Sequence, residues 1–261
     1  MFRSIVLSAC LAGLGSGVVL TIAQQPTVAP IILAAETYES ARVAEPGAQA
    51  VGQQHGELHE PAREPSVAHQ HQHEHAQKNS SATHLHDSEQ AWVPEDGNER
   101  TFWSLVTNVG MAIGFALLLC AIYSLLTSIT VTRGVLWGLA GFVVFFANPA
   151  LGLPPEIPGT LLADLFERQL WWAFAASCSA LAVALIAWRR TSLIYGGAVM
   201  LLVLPHLIGA PQPEVYASAA PQALAHQFVW ATTFVNVVFW LTLGVASALS
   251  FRALTPQAGA R

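Results

Sequence analysis

FWSLVTNVGMAIGFALLLCAIYSLLT, residues 102–127, contains no charged side chain. It exceeds the ~20 apolar residues that a helix needs to cross a ~30 Å hydrocarbon core. Apolar runs at 134–151, 170–188, 193–209 and 226–250 follow it, and another at 4–23 precedes it. Together they predict an all-α, polytopic integral membrane helix bundle with about six transmembrane helices, or five if 4–23 is cleaved or 193–209 does not span. The 193–209 run is the shortest and ends at Pro205-His206, so it fits a tilted, broken or partly re-entrant span. Gly13/Gly17, Gly110/Gly114 and Gly134/Gly138 repeat the small-xxx-small spacing that lets helices pack closely.

Composition agrees. Of 261 residues, 53% are hydrophobic and only 10% charged, against about 25% charged in soluble domains. The net charge of -5 leaves no basic stripe for phosphates, which excludes nucleic acid as a partner. Cys10, Cys120 and Cys178 sit singly in apolar runs. They read as small buried residues, neither a disulfide framework nor a thiolate metal site.

Between the first span and residue 102 the character changes. Residues 36–100 are rich in Glu, Gln, Ser, His, Pro and Ala and hold no apolar period. Such a stretch cannot offset its ordering entropy, and about 40–92 is expected to be a disordered loop. Three regions follow: a first helix over 1–35, a His-rich loop over 36–100, and a membrane domain over 101–261. The 4–23 run fits an uncleaved span or a cleaved signal peptide. Its length and the weak cleavage signal after it favour the span. Pro26 and Pro30 are expected to end or kink this helix, with Ile31 to Leu33 leaving the membrane.

Charge placement orients the chain. With the N-terminus cytoplasmic, the inside segments hold Arg3, Arg133, Arg189, Arg190, Arg252 and Arg261, and all sixteen acidic residues fall outside. Lys and Arg set orientation by the positive-inside rule. Both termini are therefore expected in the cytoplasm, with the His-rich loop facing out across a bacterial-type inner membrane.

Eight of the ten histidines lie in that loop: His55, His59, His69, His71, His73, His75, His84 and His86. Neutral imidazole suits Co, Ni, Cu and Zn. A loop with eight of them is expected to capture divalent ions loosely and without sharp selectivity; the bland alternative is a low-complexity linker. Ionisable groups at membrane depth usually face a bundle interior or a water path. His206 after Pro205, His226 at the start of the last span, and Asn148 before Pro149 fall near the outer side. Glu156, Asp164 and Glu167 lie in the adjoining loop, and Thr233, Asn236, Trp240 and Gly244 share one face of the last span. His206, Glu156 and His226 are the expected metal ligands of the membrane part, and Asn148 and Asn236 the expected pathway-lining groups. Helix capping and inter-helix hydrogen bonding would use the same residues. No G-x-x-x-x-G-K-[ST], H-E-x-x-H or G-x-S-x-G occurs. ATP binding through a P-loop and the familiar hydrolase chemistries therefore find no support, and the chain does not read as an enzyme.

Several strings resemble one family. They are Met1-Phe2-Arg3 with Gln24-Gln25, Ala35-Glu36-Thr37-Tyr38-Glu39, Gly152-Leu153-Pro154-Pro155-Glu156-Ile157-Pro158-Gly159, Arg168-Gln169-Leu170-Trp171-Trp172, and Pro205-His206-Leu207-Ile208-Gly209-Ala210-Pro211. They resemble the CbtA family of predicted cobalt transporter subunits, at both ends and through most of the membrane region. The resemblance implies an inner-membrane cobalt uptake component associated with cobalamin synthesis or control. It also implies a small single-span partner (CbtB-like) bearing its own histidines. Glu156 and His206 lie in matching strings. The family is commonly described with five spans, where six runs are counted here. Cobalt is the expected substrate ion, with nickel or zinc as alternatives. The rival readings are a metal-binding membrane accessory or sensor serving a separate permease, and a scaffold whose loop is incidental.

Overall fold

The computed structural model describes residues 2–44, 94–188 and 191–255. They form seven helices with no strand among the described residues. These are α1 (Phe2–Thr27), α2 (Ala29–Ala44), α3 (Asn98–Ser124), α4 (Val131–Ala150), α5 (Leu165–Trp188), α6 (Ser192–Ile208) and α7 (Gln222–Leu254). Five of them, α1, α3, α4, α5 and α7, are long and apolar enough to cross a membrane. The expected bundle is therefore present. The 193–209 run is the one that falls short: α6 has 17 residues, about 25 Å of helical rise.

The chain does not leave the bundle at Pro26. Val28 N–H donates to Gln24 O, and Ile31 and Ile32 N–H donate to Val28 O, so helical hydrogen bonding passes through Val28 and continues as α2. Pro30 stands in the first turn of α2, where its missing N–H costs little. The 35/36 boundary drawn from composition consequently falls inside a helix. Two contacts hold α2: Ala35 is fully buried, and Glu36 pairs with Arg100 of α3. Arg100 also bonds Asp96 at 2.8 Å. Glu36, one of the charged residues that made this stretch look like loop, is the one that docks the helix.

α7 is the central element. It packs on α1, α3 and α4, while α5 and α6 pair with each other and meet the rest mainly through the second half of α4. Close approach depends on glycine. A Cβ at Gly13 or Gly17 of α1 would lie 2.6 Å from the backbone of Ile113 or Val109 in α3. Gly138 faces the Trp240 carbonyl and Gly134 faces Gly244 across the α4–α7 contact. Two of the three predicted glycine pairs thus act inside the bundle. Gly110 and Gly114 do not: both face open space. Cys120 and Cys178 are buried as expected, but Cys10 is exposed on the outward side of α1. Phe115, Phe145 and Trp240 join α3, α4 and α7, with Phe145 and Trp240 stacked at 5.7 Å and 4°.

α4 changes pitch before it ends. Val143–Ala147 is a π segment, in which Asn148 N–H bonds Val143 O. A wider turn of this kind often marks a functional site, and here it precedes Pro149. The segments 151–164 and 209–221 then lie together at one end of the bundle. Leu161 N–H donates to Ala217 O (2.8 Å) and Ala219 N–H to Gly159 O (3.0 Å), and Thr160 bridges Ser218. Gly159, with φ of 76°, adopts a backbone that favours glycine, and a Cβ there would lie 3.3 Å from Glu39 Cβ of α2. The opposite end of the bundle carries the 125–130 turn between α3 and α4, where Thr130 Oγ1 caps α4 by accepting from Arg133 N–H.

Candidate metal-handling site

Three of the sequence strings converge where α4 ends, α5 begins and α6 ends. Asp164 caps α5 by accepting from the N–H groups of Phe166 and Glu167. This starts the helix where Arg168 reaches back to Glu156 at 3.3 Å, and Trp171 turns inward. The Trp171 indole occupies the space that a side chain at Gly152 would need. Its Nε1–H donates to Pro205 O at 3.3 Å, and its ring meets His206 edge-on at 5.8 Å.

Beside it, His206 Nε2 lies 3.2 Å from Asn148 Oδ1. Asn148 Nδ2 donates to Ser179 Oγ at 2.9 Å, and Ser179 Oγ–H donates to Ala175 O at 2.8 Å. This chain of bonds has one polarity. Ala175 O only accepts, so the single Ser179 proton is committed and its oxygen must accept from Asn148. The Asn148 amide therefore turns its NH2 to Ser179 and its oxygen to His206. In the neutral imidazole, Nε2 then carries the proton and Nδ1 keeps the lone pair. Metal-ligating histidines characteristically donate their other N–H to a carbonyl or carboxylate in this way. Asn148 is buried and His206 half-buried, so little water competes for the Asn148 bond.

A cavity of about 980 Å³ lies at the same end of the bundle, reached by the neighbours Pro149 and Trp172 but not lined by Asn148, Trp171 or His206 themselves. Pro149 and Trp172 line it, as do Glu156, Arg168 and Gln169 from the rim and Phe228 from α7. Burial pushes the Glu156 carboxyl above its ordinary value of 4.5, and the nearby Arg168 charge opposes that rise.

The structure therefore brings His206 and Asn148 into direct contact and places Glu156 on the neighbouring cavity. Asn148 acts as the partner that orients His206, a more specific role than lining. Among the described residues Asn236 makes no such inter-helix bond: its Nδ2 donates to Thr232 O of its own helix. His226 is exposed near the start of α7. No group of three or more His, Cys, Asp or Glu that could hold a metal ion occurs among the described residues. His55, His59, His69, His71, His73, His75, His84 and His86 lie outside the described residues. Sequence reasoning missed Ser179 and the role of Trp171. Ser179 is 31 positions from Asn148 and belongs to no local motif. Trp171 was visible only as part of a string, and its pairing with Gly152 depends on the fold.

Neither the curated proteins nor the solved structures contain a match to this chain. One family does match, over residues 2–252, which includes every string just described. By that match the chain belongs to the family described as "Probable cobalt transporter subunit (CbtA)", a multi-pass membrane protein of a cobalt transport system.

Proposed function

We propose that this chain is an uptake component of the inner membrane that admits Co(II) through the cavity at Glu156 and passes it to His206. The observation that carries this reading is the bond chain Ala175–Ser179–Asn148–His206, which directs Nε2–H of the neutral, half-buried imidazole to Asn148 and leaves Nδ1 as its free nitrogen. The eight histidines between His55 and His86 act as the outer capture arm, supplying hydrated ions loosely. Glu156 and His206 exchange part of the hydration shell for an oxygen and a nitrogen ligand. His226 is a peripheral ligand near the same end, and Asn236 lines a later part of the route. With the termini cytoplasmic, the membrane potential supplies ~4.6 kcal/mol per 100 mV for a divalent ion, so ATP need not bind this chain. Nickel or zinc would fit the same donors, and a small single-span, His-bearing partner would complete the system.

The test is whole-cell metal content by elemental mass spectrometry in cells with the protein, without it, with His206→Ala, and lacking residues 55–86. Cobalt accumulation that His206→Ala abolishes, and that the loop deletion only weakens at limiting cobalt, is the expected result. Full accumulation by His206→Ala would remove that residue from the path. A second reading is a metal-binding accessory that hands ions to a separate permease. It is favoured by the lack of a three-ligand group among the described residues. Metal binding without flux when the purified chain is placed alone in liposomes would select it.

A further inference from the structure

The α4–α5 seam holds a second cavity, of about 760 Å³, at the opposite end from Glu156. It runs between α4 from Arg133 to Val143 and α5 from Ala182 to Trp188, with Leu202 of α6 behind. Its length along α4 is about 15 Å at 1.5 Å per residue, half of a ~30 Å hydrocarbon core. The walls are mostly Leu, Ala, Val and Ile, and among the described residues the one charged lining residue is Arg133. Trp137 and Trp188 also line it, a residue type that settles at headgroup level.

This chemistry is wrong for the cation of the site above. A hydrated divalent ion would meet a guanidinium and no carboxylate. It suits an amphiphile with an apolar tail and an anionic head. Arg133 is prepared for the head: both of its bonds to Ser128, to the carbonyl and to Oγ, use Nη1. The turn fixes the side chain while the Nε and Nη2 side stays available for an oxyanion. A volume of about 760 Å³ is in the range of ligand-binding clefts. Basic pockets between helices on the cytoplasmic side are known to hold anionic lipid headgroups.

We infer that this groove binds one anionic glycerophospholipid, its phosphate on Arg133 and an acyl chain lying between α4 and α5. The lipid fills the space that separates the α5–α6 pair from α4 at this end, where among the described residues no side-chain hydrogen bond crosses the seam as Asn148–Ser179 does further along.

The experiment is native mass spectrometry of the full-length protein in detergent, loaded with phosphatidylglycerol, with phosphatidylcholine, or with millimolar inorganic phosphate. Wild type is expected to retain one phosphatidylglycerol in preference to phosphatidylcholine, undisplaced by phosphate. Arg133→Gln should lower that retention at least tenfold, and Arg133→Lys should largely keep it. Ala140→Phe, which fills the groove and leaves Arg133 and Ser128 in place, should also remove the lipid. Equal retention of both lipids, or retention unaffected by Arg133→Gln or by Ala140→Phe, would overturn the assignment. Displacement of the lipid by inorganic phosphate would overturn it too, in favour of a simple anion site.

Discussion

Replacing Asn148 by leucine tests the bond chain most directly. Leucine keeps the branched outline and heavy-atom count of asparagine but cannot accept from His206 Nε2–H or donate to Ser179 Oγ. Ser179 loses little, because its proton remains with Ala175 O. The loss falls on His206, whose N–H no longer has the partner 3.2 Å away and whose protonated nitrogen is no longer dictated. Two quantities follow, and they differ. Stability should fall by ~1–2 kcal/mol, the net value of the lost bonds at a half-buried donor. Cobalt affinity should fall 10–100-fold, the usual effect of removing the partner that orients a metal-bound histidine. At 1.36 kcal/mol per decade that corresponds to ~1.4–2.7 kcal/mol. The assay is initial-rate uptake of radioactive cobalt against external concentration, alongside thermal unfolding of the purified protein. The expected outcome is a raised half-saturation concentration with near-normal protein levels. A variant with the wild-type concentration dependence would refute the argument that Asn148 sets the free nitrogen of His206, whatever its effect on unfolding.

The other predictions are smaller in scope. Ser179→Ala leaves the Asn148–His206 contact but orphans Nδ2 of a buried amide, so it should cost ~1–3 kcal/mol in stability while raising the half-saturation concentration only a few-fold. In Arg168→Gln the charge opposing the rise of the Glu156 carboxyl is lost, so the carboxyl should move further up. Uptake should then fail at a higher pH on the acid side than in wild type, as a pH profile would show. For stability the sign is fixed by the same raised value. The contribution of Glu156 is full below its ordinary 4.5 and is lost as pH rises through the folded value, and Glu156→Gln should remove that slope from a pH series of unfolding midpoints. Gly138→Ala drives a methyl into the Trp240 carbonyl and should lower stability by ~1–3 kcal/mol. Gly110→Ala, facing open space, should leave the midpoint near wild type. Arg100→Ala breaks pairs that are about one-third exposed on the Arg and Glu36 side, so its global cost should stay within ~1 kcal/mol.

Much of this was legible beforehand because the bilayer imposes a coarse rule. A stretch such as 102–127 has few alternatives to a helix when it contains no charge, and α3 occupies Asn98–Ser124. Residues 29–44 were harder. Their composition is that of a loop, and their helix is specified by a partner 64 positions away, Arg100 against Glu36. Small-xxx-small spacing likewise does not say which helix, if any, a glycine face meets, and Gly110/Gly114 carries the same spacing as Gly13/Gly17 with no neighbour. Within the site, Asn148 and His206 stood out because polar groups at depth are rare. Asn236 stood out for the same reason, and nothing local distinguishes an amide that reaches another helix from one that bonds its own turn. The polarity of the bond chain is not a property of any one residue. It follows only when Ser179 and the Ala175 carbonyl are placed next to Asn148.

The contact between Gly159 and Glu39 has a kinetic consequence. Gly159 stands on the cavity rim, and α2 continues only from Glu39 to Ala44, about 7.5 Å of rise, before residues 45–93 begin. The chain segment that contains the eight histidines is thus rooted beside the mouth. On the proposed capture role, ligands attached at such a root would share a restricted volume with their target, and tethering of this kind raises the effective concentration. Delivery in that proposed role would depend on confinement more than on affinity. Weak imidazole sites that release quickly would keep the mouth better supplied than a tight site elsewhere on the surface. A longer tether would dilute that supply without altering a single ligand.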